Sequence, residues 1–156
     1  MSEPRGAVSA PVAVAFTLVG FFALLIAGFG MLSLLSDAEA LSVAGLGPLP
    51  GVLGVGCASA AFAASTWSVV HRAAPRYRGV ALIVVAAFLG FLVGVLVGGV
   101  LAGADLVRTI AAAGSFATSW FAVVLASAAL VCGWAAVALV RTRTGRPRWP
   151  WEGDED

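Results

Sequence analysis

Lysine, asparagine and glutamine are missing from this 156-residue chain, and it holds one histidine and two cysteines. Each gap excludes chemistry. Without amides, the common builders of polar pores and substrate sites are gone. His71 stands beside Arg72 with no Cys, Asp or Glu in its own loop, which makes it a poor metal ligand or acid–base group. Cys57 and Cys132 lie far apart in apolar runs and form no CxxC, so no zinc site or redox pair is signalled and both read as small buried side chains. No GxSxG and no Ser/His/Asp set occurs. We expect no enzyme, catalytic residue, cofactor or metal. The formal net charge of +1, with no basic patch away from apolar flanks, argues against a nucleic-acid partner.

Charge of either sign is scarce. Charged residues are 11% of the chain and apolar ones 61%, against about 25% and about 45–50% in a soluble domain. A soluble core of this length cannot absorb so much apolar surface; the excess needs lipid around it. Arginine as the only strong cation, in a background of Ala, Gly, Val and Leu, fits a GC-rich bacterial genome.

Four apolar stretches, at about 12–35, 51–70, 80–104 and 116–140, hold no ionisable side chain apart from the cysteines. Each is long enough as a helix to cross a hydrocarbon core of about 30 Å, and a helix satisfies its own backbone in lipid. The expected fold class is therefore all-α: an integral membrane four-helix bundle in a single domain over 12–140. A short N-terminus (1–11) precedes it and a tail (141–156) follows. Ala38-Glu39-Ala40 resembles a signal-peptidase site, but a first run of 24 residues far exceeds a signal core of about 7–15. We expect helix one to be retained.

Arginine placement sets the orientation. Arg5, Arg72, Arg76, Arg78, Arg141, Arg143, Arg146 and Arg148 fall on one side, and only Arg108 on the other, with Asp37, Glu39 and Asp105. Positive charge is retained inside, so both termini are expected in the cytoplasm of a bacterial inner membrane. Trp67, Tyr77 and Trp120 are expected at the interfaces as anchors, as are Trp149 and Trp151 in the tail. Trp134, about two turns before Arg141, is expected to pack within the bundle. Pro147 and Pro150 keep the tail extended, and its arginines favour anionic headgroups. The tail reads as a topogenic stop or as a docking site for a cytoplasmic partner.

Small residues form the clearest pattern. Gly90, Gly94 and Gly98 recur every fourth position, followed by Gly99 and Gly103. Such a face lets another helix approach closely, either within the chain or between two copies. Gly56, Ala60, Ala64 and Ser68 make a softer row on helix two, and Ala122, Ala126, Ala129 and Gly133 one on helix four. Ser59, Ser65, Thr66, Ser68, Ser115, Thr118, Ser119 and Ser127 are expected to bond back to their own helices or across to a neighbour. The connection before helix four reads as a loop in which Asp105 and Arg108, three residues apart, are spaced for a local ion pair on a helical turn.

These features point to a small polytopic membrane protein without catalytic signature: an accessory, assembly or self-associating subunit. Its partners are the lipid bilayer and a larger membrane complex or a second copy. The alternative is an oligomeric small-solute channel or transporter lined by Ser, Thr and backbone.

Overall fold

A computed structural model of the chain describes residues 9–37, 41, 47–71 and 77–141. These form five helices: α1 (Ala10–Ser36), α2 (Leu49–Val70), α3 (Arg78–Leu101), α4 (Leu106–Ala117) and α5 (Trp120–Arg141). Four of them, all but α4, are long and apolar enough to cross a membrane. The termini of these helices follow local chemistry. A proline sits in the first turn of α1 and of α2, where its missing N–H has no partner to lose. Asp37, at φ 49°, closes α1 in the left-handed region. Gly103, at φ 71°, turns the chain out of α3, a conformation in which a side chain is strained.

Contacts order the long helices into a ring: α1 packs on α2, α2 most extensively on α3, α3 on α5, and α5 back on α1. Each neighbour runs antiparallel. Along α1, Phe21 stacks on Phe62 at 4.4 Å between centroids, and Gly20 and Gly28 meet Cys132 and Val124 in the opposite order along α5. Residues 9 and 141 therefore lie at the same end of the bundle. The core is aromatic and aliphatic, with Phe21, Phe62, Phe91, Phe116, Leu25, Ile83 and Leu125 fully buried. Outward faces are apolar too: Phe16, Val19, Leu82, Val85, Leu89 and Val93 are all exposed. A helix apolar all round needs lipid or protein on every side.

The region before the fourth span differs from the expected loop. Residues 106–117 form α4, and α5 begins at Trp120 rather than near Phe116. Thr109, Ala112, Ala113 and Phe116 make the buried face of α4, the i, i+3, i+4, i+7 spacing of an amphipathic helix. Asp105 does not pair with Arg108. It occupies the N-cap, its carboxylate accepting from the Val107 N–H at 3.1 Å, where the helix dipole favours negative charge. α4 ends where Thr118 Oγ1 bonds back to Gly114 O and Ser119 Oγ to Phe116 O. Such back-bonding competes with the helical ladder.

Candidate functional site

The glycine row of α3 packs inside the chain. A Cβ placed on Gly90 would come within 2.9 Å of Cys57 O; on Gly98, within 2.6 Å of Pro50 Cα. On Gly94 it would collide with Leu53 O and lie 2.7 Å from Gly54 Cα. All three meet α2 backbone, so this face has no room for a second copy. Gly99 faces Thr109 of α4 instead, and nothing lies within 4 Å of the Cβ position on Gly103, whose part is the turn.

On α2 the contacting residues are Leu49, Pro50, Leu53, Gly54, Cys57, Ala58 and Ala61. The row Gly56, Ala60, Ala64 and Ser68 faces outward, because helix rotation is set by the larger buried side chains Phe62 and Val69 on the other side. In α5, Ala122, Ala129 and Gly133 are buried and Ala126 is half-buried.

The aromatic residues expected as anchors lie at several levels along the bundle. Trp67 is 44% exposed, and its ring lies 4.0 Å from that of His71. His71 caps α2, its backbone N–H donating to Trp67 O and its Nδ1 lying 3.3 Å from the same oxygen. Tyr77 and Arg78 are exposed at the start of α3. Trp134 does not pack within the bundle: it is 55% exposed. The neighbouring Gly133 approaches Ile83 and Val80, which places Trp134 level with the beginning of α3. Its sequence distance from Arg141 misleads because α5 continues past that level. Trp120 is 75% exposed. Next to it, Phe121 lies 5.5 Å from Phe29, so Trp120 stands about one to two turns inside the C-terminal ends of α1 and α3. Trp149, Trp151, Arg72, Arg76, Arg143, Arg146 and Arg148 lie outside the described residues, as does the side chain of Arg141.

A ring cluster absent from the sequence reading ties these helices together. Phe91 stacks on Phe116 at 4.0 Å, and Phe29 meets Phe91, Phe116 and Phe121 edge-on at 5.5–6.2 Å. It joins α1, α3, α4 and α5; no periodicity within one helix reveals rings that meet across four.

Polar chemistry in the spans is sparse. Thr17, Ser65 and Ser68 donate to carbonyls of their own helices. Ser59 Oγ and Thr66 Oγ1 are buried without a partner, both on α2. Among the described residues no three His, Cys, Asp or Glu side chains stand close enough to share a metal, and both cysteines are free thiols.

Several recesses open on the bundle surface, and two of them adjoin helix ends. One, of about 550 Å³ between α1 and α2, has Phe91 at its base and Leu41 and Pro48 at one end. The other, of about 410 Å³, lies beside the α4–α5 junction and includes Thr118, Ser119 and Ser127. Comparison with curated proteins and with solved structures gives no match. A family model does match, over residues 1–156, and this all-helical chain with four membrane-length helices belongs to that family of unknown function, DUF6121.

Proposed function

We propose that this protein is a non-catalytic membrane subunit that works through its helix surfaces, as an accessory, assembly or self-associating component, with both termini in the cytoplasm. The observation carrying this reading is the filled interior. The rings of Phe21, Phe62, Phe91 and Phe116, with Leu25, Ile83 and Leu125, occupy the space between the helices. Ionisable side chains in a membrane interior usually mark ion or substrate paths. The spans, bounded by Asp37, His71, Arg78 and Asp105, offer no charged side chain for one. Cytoplasmic termini rest on eight of nine arginines falling on one side.

The test is purification from native membranes after mild crosslinking. A complex of fixed ratio, with a larger membrane protein or with further copies, is the expected result. A lone, monodisperse single chain in lipid nanodiscs overturns the reading.

A second reading, an oligomeric pore for a small neutral solute, draws on the α4–α5 junction. There the backbone is interrupted, and Thr118, Ser119 and Ser127 edge a recess. Irregular backbone at membrane depth is tolerated where protein or a water-filled cavity covers it. Flux of a neutral solute into proteoliposomes, abolished by Ser127→Leu, would favour this alternative.

A further inference from the structure

The recess between α1 and α2 lies in the half of the bundle that holds Asp37 and Asp105, away from residues 9 and 141. Its walls include Phe22 and Phe29 from α1 and Val52, Val55 and Gly56 from α2. Its base is Phe91, itself 1% exposed, so the recess reaches the bundle core. Almost no polar atom lines it. Water needs two to four polar partners to occupy a cavity, and this one cannot provide them.

Shape narrows the occupant further. Membrane helices associate through close, flat contact of small residues. A helix packed flat on the outward row Gly56, Ala60, Ala64 and Ser68 would bridge the recess and leave it empty, and the atoms lining a void lose their dispersion contacts. A flexible hydrocarbon chain conforms to such a recess. Length also fits: the α2 wall, from Pro48 to Gly56, rises about 12 Å, close to the roughly 15 Å that one leaflet contributes to the hydrocarbon core. Leu41 and Pro48 stand at the outer end, so entry is sideways, between the helices. Volume agrees, at about 550 Å³ within the roughly 300–1,000 Å³ of ligand pockets.

We propose that this recess is a binding site for one acyl chain of a phospholipid in the leaflet opposite the termini, wedged between α1 and α2. The site rests on the membrane-spanning architecture and is independent of the accessory or assembly role.

Gly56 provides the handle. It lines the recess, and nothing lies within 4 Å of where its Cβ would be. Gly56→Phe therefore adds a ring at the wall of the recess and narrows it without disturbing a helix contact. Gly30 on α1 is equally open but outside the recess, so Gly30→Phe is the matched control. The chain is placed in phosphatidylcholine liposomes doped with a phosphatidylcholine carrying a diazirine at mid-chain, then irradiated and mapped by peptide mass spectrometry.

Labelling at Phe22, Val52 and Val55 should exceed that at the lipid-facing Phe16, Val85 and Val93 several-fold. Gly56→Phe should remove that excess, while Gly30→Phe keeps it. If Gly56→Phe fails to fold, Val52→Trp narrows the same opening and takes its place. Even labelling of all outward faces, an excess that survives both narrowing variants, or protein–protein adducts at these positions in place of lipid would each overturn the proposal.

Discussion

Gly94 and Gly56 lie in facing helices, yet a methyl group would have opposite effects at the two positions. On Gly94 it collides with the α2 backbone at Leu53; forcing extra atoms into a packed contact costs about 1–3 kcal/mol. On Gly56 it enters open space, and the better helix propensity of alanine contributes up to about 1 kcal/mol. Gly94→Ala should therefore lower, and Gly56→Ala maintain or raise, the midpoint of unfolding in detergent. Equal midpoints would mean that α2 and α3 are not in backbone contact. Gly103→Ala meets no neighbour, and its expected loss of about 1–2 kcal/mol comes from the left-handed φ alone. Both kinds of glycine look alike in a string of letters. The spacing of Gly90, Gly94 and Gly98 announces a close approach, but the identity of the partner depends on which helix the fold brings there.

Among the elements, α4 is the least anticipated. Its first-turn signal, Asp105 ahead of the buried spacing Thr109, Ala112, Ala113 and Phe116, was legible in principle. Arg108 and Gly114 interrupted the apolar run and hid it. Its hold on the bundle is Phe116 against Phe91 and Thr109 against Gly99. Phe116→Ala should cost about 3–5 kcal/mol and speed hydrogen exchange over residues 106–117, while amides of α2 and α3 stay protected. Unchanged exchange there would place the anchor elsewhere. Asp105→Ala removes the cap, with an expected loss of about 0.5–2 kcal/mol, measurable in the same unfolding assay. The outward turn of Gly56, Ala60, Ala64 and Ser68 follows similar logic. Bulk decides helix rotation, and Phe62, stacked on Phe21, outweighs a row of small side chains.

For the whole molecule, four alternating helices put both described ends at one end of the bundle, and the proposed orientation, which rests on the arginines, turns that end to the cytoplasm. A reporter fused after Asp156 should be active in the cytoplasm, and one inserted after Gly103 only outside; the reverse pattern would invert the orientation. By itself the sequence determined the solvent, since runs of this length without charge are stable only in hydrocarbon. It also determined the approximate number of crossings and the asymmetry of positive charge. Tertiary structure alone decided that the glycine face of α3 is taken up by α2, that Trp134 stands outward level with the first turns of α3, and that three phenylalanines meet around Phe29. Periodicity reports which residues share a face of one helix. Depth and facing partner depend on how the rods slide and rotate against one another, and that is settled by packing volumes across all of them at once.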